Sequence, residues 1–103
     1  MLSILIPTFN YDSVPLVKEL HRQCIEYGIE FEILVYDDGS KSVFSKTNNI
    51  ISTLEHCTFE ALPNNIGRSS IRNFLAKNAN YGLLLFIDTD TFPESNNFIK
   101  NYF

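Results

Sequence analysis

The stretch LLLFIDTDTFP, Leu83 to Pro93, ends an apolar run in two carboxylates one residue apart, Asp88 and Asp90. On an extended chain the side chains at i and i+2 point the same way, so the two aspartates are expected to converge. Two like charges about 4 Å apart repel by about 1 kcal/mol in water and several-fold more near a protein surface. A divalent cation would offset that repulsion. Taken alone, the same residues also read as a polar strand end with two solvated aspartates.

Three further polar clusters have the same placement. PTFN (Pro7–Asn10) follows the apolar run LSILIP, DDGS (Asp37–Ser40) follows FEILVY, and PNNIG (Pro63–Gly67) follows CTFEAL. Continuous apolar runs of this length suit strands buried on both faces. Between them lie segments with helical spacing. The first is DSVPLVKELHRQCIEYG, with Ser13 as cap, Pro15 in the first turn, Gly28 as stop, and Val17, Leu20, His21, Cys24 and Ile25 as its stripe. The second runs from Ser42 to about Glu55 through Phe44, Thr47, Ile51 and Leu54. The third runs from about Arg68 to Ala79 with Ile71, Phe74 and Leu75 inward. YGLLLFID is the fourth strand, and a short helix beginning near Pro93 follows. The resulting βαβαβαβα order predicts an α/β fold with a mainly parallel sheet and helices on its faces. Ligands of such sheets bind at the carboxyl ends of the strands, which is where all four polar clusters fall. Phe9, in the first cluster, is read as a packing residue.

Composition narrows the partners. The 103 residues suit a single domain, and 45% hydrophobic content supports a core. A net charge of -4 with scattered Lys and Arg argues against a nucleic-acid binder working through a basic surface. Cys24 and Cys57 lack metal-type spacing and read as buried thiols in a reducing compartment. The N-terminal apolar run lacks the basic region and cleavage site of a signal peptide, and is too short to span a bilayer.

Elimination narrows the chemistry. Neither His21 nor His56 lies in a strand-end cluster, so no Ser/His/Asp set forms. No G-x-G-x-x-G follows the first strand and no G-x-x-x-x-G-K-[ST] occurs, which removes the usual dinucleotide and P-loop sites. What remains is a carboxylate-held Mg²⁺ or Mn²⁺, which binds through one or two carboxylates plus substrate phosphates. A protein of charge -4 would otherwise repel a diphosphate. The acidic and amide groups are joined by Arg68 and Arg72 on the third helix.

Two families carry an apolar run followed by D-x-D. Asp88, Asp90 and Thr91 match the first motif of haloacid-dehalogenase-like phosphatases, with Asp88 as nucleophile. That motif belongs on the first strand of its fold, however, and here it stands near the other end of the sequence. The set SILIPTFN, EILVYDDGS, NNIGRSSIRN and LLLFIDTD, spanning Leu2 to about Pro93, resembles the nucleotide-binding half of the family 2 glycosyltransferases. That resemblance implies a Rossmann-like, nucleotide-diphospho-sugar transferase (GT-A) fold, truncated, with residues 1–103 as the N-terminal donor-binding part of one domain.

The resemblance also implies roles. Pro7, Thr8 and Asn10 lie against base and ribose. Asp38, beside Asp37, reads the uracil edge, where a carboxylate accepts the imide N–H that cytosine lacks. Gly67, Arg72 and Asn73 lie near base and diphosphate, and Ile71 stands where a small residue usually precedes this arginine. Asp88 approaches the ribose and Asp90 the metal, Mn²⁺ or Mg²⁺. The implied reaction is metal-assisted, inverting transfer of a sugar, of hexosyltransferase type, from a UDP-sugar to the hydroxyl of a carbohydrate or lipid-linked acceptor. The implied setting is bacterial polysaccharide biosynthesis in the cytoplasm, with peripheral association of a full-length protein at the inner face of the membrane. No nucleic-acid partner is expected. The general base is expected beyond Phe103, so the fragment is expected to bind donor without turnover and to self-associate. A non-catalytic nucleotide- or metal-binding module is the alternative.

Overall fold

The structure is a computed structural model that describes residues 1–40 and 43–103. Four strands form one sheet: β1 (Leu2–Thr8), β2 (Phe31–Asp37), β3 (Cys57–Ala61) and β4 (Leu83–Phe86). Their order is β3-β2-β1-β4, and every neighbouring pair is parallel. The helices are α1 (Val14–Tyr27), α2 (Val43–Asn48), α3 (Arg68–Asn78) and α4 (Phe98–Tyr102), with a 3₁₀ turn at Asn49–Thr53 after α2. This is the α/β architecture expected from the alternating pattern. No helix among the described residues is long and apolar enough to cross a membrane.

The core divides as strand alternation requires. Leu2, Ile4 and Ile6 of β1, with Phe31, Ile33 and Val35 of β2, face α1, the 3₁₀ turn and α4 through Val17, Leu20, Cys24, Ile51 and Ile99. Leu5, Leu34 and Tyr36 face the other way, onto Ile71 and Leu75 of α3. Leu2, Ile4, Leu5 and Ile6 are all fully buried, and each such side chain is worth about 1.5–3 kcal/mol relative to exposure. Near the amino ends of the strands, buried Glu32 accepts hydrogen bonds from Ser3 Oγ (2.6 Å), Asn80 N (2.6 Å) and Asn80 Nδ2 (2.8 Å). That network seats the α3–β4 connection.

Several boundaries differ from the sequence reading. The second helix stops at Asn48 because Asn48, Asn49 and the β-branched Ile50, Ile51 and Thr53 are weak helix formers; its expected start at Ser42 lies outside the described residues. Ile25 and Phe74, expected inward, are half-exposed. The fourth strand covers only Leu83–Phe86 and pairs on one side, so Leu83 is 43% exposed instead of sandwiched. The first helix is capped by a different residue: Ser13 occupies the cap position, but the Asp12 side chain accepts the Val14 N–H at 3.0 Å.

Candidate functional site

Because all four strands run parallel, Thr8, Asp37, Ala61 and Phe86 end on one edge of the sheet. The chain leaves β1 toward β2 on one side, while β4 returns to β1 on the other. That reversal is the topological switch point where open α/β sheets leave a crevice. A pocket of about 440 Å³ opens there, lined by Pro7, Thr8, Phe9, Asp38, Asn65, Gly67, Arg68, Ile71, Asp88, Thr89 and Asp90. Other grooves are as large, including one of about 510 Å³ beside α3 with an almost wholly apolar wall. The converging polar groups, and not volume, single out the strand-end pocket.

The β2–α2 turn supplies its acidic wall. Asp37 is 1% exposed, and both carboxylate oxygens are engaged: one accepts the Ser40 N–H at 3.0 Å, the other the Ser40 hydroxyl and the Ser45 hydroxyl at 3.1 Å. It shapes the turn and does not line the pocket. Asp38, 6% exposed, does line it. Its Oδ1 accepts the Ile66 N–H at 2.7 Å and its Oδ2 the Gly67 N–H at 3.2 Å, while Asn65 Nδ2 donates to the Asp38 carbonyl at 3.1 Å. One side chain thus ties the end of β2 to the loop that starts α3. A carboxylate offers about four lone-pair positions, so acceptor capacity remains toward the pocket. The two segments also meet as backbones. Gly39 has φ +77°, and a Cβ there would lie 2.5 Å from Asn64 C and Asn65 N, so only glycine fits.

The D-x-D segment is a turn and not an extended strand. The Ile87 N–H makes the last ladder bond, to Leu5 O at 3.1 Å, and the Thr91 N–H then closes back on Asp88 O at 3.0 Å. The two aspartates reach one pocket through that turn, not through the i, i+2 rule for strands. Both are exposed, and Asp88 Oδ1 lies 3.4 Å from Arg68 Nη2 with both side chains largely in solvent. A ring of hydroxyls locks the turn to the rest of the edge. Ser13 Oγ donates to Thr8 Oγ1 at 2.9 Å, Thr8 Oγ1 donates to Thr89 Oγ1 at 3.1 Å, and Thr89 and Ser13 lie 2.5 Å apart.

The sequence-predicted residues therefore divide. Pro7, Thr8, Asp38, Gly67, Asp88 and Asp90 share the pocket. Asn10 sits in the β1–α1 loop at φ +50°, exposed and outside the lining. Arg72 lies one turn into α3 with its guanidinium 4.2 Å from the Phe86 ring centroid, a cation–π contact on the sheet face. Asn73 lines the apolar groove beside α3. Arg68, at the first turn of the same helix, is the one cation of the lining among the described residues. Phe9, read as a packing residue, is 50% exposed at the pocket wall. Thr89 and Ser13 were not singled out for the site, and hydroxyl side chains at loop positions carry no sequence signal that distinguishes them from ordinary turn residues.

Among the described residues no group of three or more His, Cys, Asp or Glu is arranged to hold a metal ion. The donor set Asp88 and Asp90 instead suits Mg²⁺ or Mn²⁺, which take one or two carboxylates and complete their shell with water and substrate phosphates. The two cysteines, Cys24 and Cys57, are free and buried in the core away from this edge. Burial pushes both thiols up to about 12, so neither is a nucleophile or a ligand at neutral pH.

Comparisons with known proteins agree with this fold. Among curated proteins no match is found. Among solved structures, S. aureus TarS 1-349 superposes with a TM-score of 0.71 at 24% identity, over 98% of this chain and 30% of that one. The mannosyltransferase PcManGT from Pyrobaculum calidifontis, in complex with GDP-Man and Mn²⁺, gives a TM-score of 0.76 at 17% identity, over 97% of this chain and 30% of that one. TarS 1-349 has also been solved with UDP-GlcNAc, which superposes with a TM-score of 0.71 at 24% identity over 98% of this chain and 29% of that one. This chain thus spans about 30% of the length of the structures it matches. The family described as Glycosyl transferase family 2 matches over residues 3–101, and the chain belongs to it.

Proposed function

We propose that residues 1–103 bind the nucleotide-sugar donor of a family 2 glycosyltransferase, with a UDP-sugar as donor and Mn²⁺ or Mg²⁺ as cofactor. The observation that carries this reading is the convergence of Asp38, Asp88 and Asp90 on one pocket at the β1/β4 switch point. Asp38, fixed by two backbone N–H groups, presents a carboxylate acceptor to the imide N–H of uracil. Pro7, Thr8 and the exposed Phe9 form the wall along the base and ribose. Asp90, with Asp88, would hold the cation, and when bound that ion neutralises the departing diphosphate as a Lewis acid. Arg68 adds the only cationic side chain of the lining among the described residues. The solved complexes of TarS with UDP-GlcNAc and of PcManGT with GDP-Man and Mn²⁺ support donor binding at this fold.

Transfer to an acceptor hydroxyl with inversion is the reaction proposed for the full-length enzyme. Since the chain spans about 30% of the structures it matches, acceptor recognition and the general base are proposed to reside in the remainder. The two reduced, buried thiols suit a cytoplasmic site of action. The test is calorimetric titration with UDP, GDP and CMP, each with Mn²⁺ and with a chelator. UDP should bind more tightly than GDP or CMP, and Mn²⁺ should strengthen it. Equal affinities for the three nucleotides would remove the uracil assignment, and metal-independent UDP binding would remove the cation.

A further inference from the structure

We infer that Ser13, Thr89 and Asn48 are positioning residues for the metal-holding turn: a closed ring of hydroxyls, anchored from α2, fixes where Asp88 and Asp90 stand. This inference rests on the proposal that Asp88 and Asp90 hold the cation. Each hydroxyl has one proton to donate. Ser13 donates to Thr8 and Thr8 donates to Thr89, so the third side of the ring, 2.5 Å long, takes its proton from Thr89. Every member then donates once and accepts once, an arrangement in which each bond polarises the next. Thr89 is the residue between the two aspartates, so the ring acts at the centre of the turn.

The ring is held from outside the pocket. Asn48, the last residue of α2 and 1% exposed, accepts the Ser13 N–H at 2.8 Å through Oδ1 and donates Nδ2 to the Tyr11 carbonyl at 2.8 Å. Both ends of its amide are used on the loop that carries Ser13. Ser13 is fully buried and Thr8 is 3% exposed, so water does not replace these bonds readily. By contrast, Asp88 and Asp90 themselves are exposed, and among the described residues the one side-chain partner of Asp88 is Arg68 across 3.4 Å of solvent-screened space. Nothing in that weak pair fixes the turn. A two-carboxylate site is sensitive to such placement, because Mg²⁺ and Mn²⁺ need ligands near octahedral positions.

The experiment compares Thr89→Val, Thr89→Ser and Ser13→Ala with the parent chain. The readouts are UDP affinity with Mn²⁺ and with chelator, Mn²⁺ affinity by electron paramagnetic resonance without nucleotide, and thermal melting. Thr89→Val keeps the shape and removes the hydroxyl; Thr89→Ser keeps the hydroxyl. Thr89→Val and Ser13→Ala are expected to weaken Mn²⁺ binding, and the Mn²⁺ enhancement of UDP binding, by about threefold to tenfold, the range set by loss of one or two neutral hydrogen bonds. In Ser13→Ala, whose side chain lies outside the pocket lining, metal-free UDP affinity should stay at the parental value at temperatures well below melting, and Thr89→Ser should restore the Mn²⁺ effect. Parental Mn²⁺ affinity in both hydroxyl-deleted variants would overturn the inference. So would a loss in Ser13→Ala that falls equally on metal-free UDP binding, which would make the ring a structural support alone. If the parent binds UDP without responding to Mn²⁺, the cation assignment itself fails and this inference falls with it.

Discussion

Replacing Asp38 with asparagine tests whether one side chain both closes the pocket and holds the start of α3. The substitution preserves shape, but one of the two side-chain oxygens becomes an NH₂ group. In the parent, Oδ1 and Oδ2 accept the Ile66 and Gly67 N–H groups at 2.7 and 3.2 Å. Asparagine keeps the shorter bond as a neutral one and turns a donor toward the Gly67 donor. Hydrogen bonds to a charged group contribute about 1.5–3 kcal/mol, and neutral ones about 0.5–1.5 kcal/mol. Losing one charged bond and weakening the other, with some relief because Gly67 is partly open to water, should cost about 2–3 kcal/mol. In a domain of this size each kcal/mol moves the melting temperature by about 4–8 °C, so a fall of about 10–20 °C is expected. Urea denaturation followed by circular dichroism measures the free energy, and UDP titration well below both melting temperatures measures the site. An Asp38→Asn protein within about 0.5 kcal/mol of the parent would refute the clamp.

Three further outcomes are expected. Arg68→Ala should leave stability within about 0.5 kcal/mol, because its ion pair with Asp88 is solvent-exposed, yet should raise nucleotide-free Mn²⁺ affinity up to about fivefold by freeing that carboxylate, as paramagnetic resonance can read. Since burial holds Cys24 and Cys57 up at about 12 against an ordinary value near 9, the folded chain should not react with a thiol reagent at pH 8, whereas the denatured chain should react at both; stability should be whole below pH 9 and fall between pH 9 and 12, where only unfolded thiols release protons. Hydrogen bonds from Arg22 and then Gln23 hold the Glu19 carboxyl down at about 2, so its contribution is present above pH 4.5 and is lost as the pH falls from 4.5 to 2; Glu19→Gln should flatten that part of an acid-denaturation curve.

The strands that were easiest to read are those buried on both faces. β1 and β2 appear as apolar runs, interrupted only by the mutually bonded Ser3 and Glu32, because α1 and α3 cover opposite sides of them. The same pattern overstated β4, whose Leu83–Phe86 run looks equally apolar but pairs only with β1. Strand-end placement of Asp38, Asp88 and Asp90 was legible because parallel topology puts every strand terminus on one edge. Which member of a pair faces the pocket was not. Asp37 and Asp38 are adjacent and chemically identical, and only the Ser40 and Ser45 donors decide that Asp37 turns inward. Arg68 and Arg72 sit one helical turn apart, and the Phe86 ring draws the second away. The Ser13–Thr8–Thr89 ring joins residues from opposite ends of the chain, which no local pattern encodes.

The pairing of β1 with β4 also has a kinetic side. β1 and β2 are the interior strands of this sheet, and the β4 neighbour of β1 comes from the far end of the sequence, Leu2 standing opposite Leu83. Parallel neighbours cannot zip up from a hairpin, and each pairing must close a long loop before any contact rewards it. Chains dominated by such distant contacts fold on roughly the millisecond-to-second scale. The crevice between β1 and the D-x-D turn exists only once that longest closure has occurred. Ligand capture at this edge therefore reports a formed β1–β4 pairing, and a nucleotide added during refolding would act on the step that closes it.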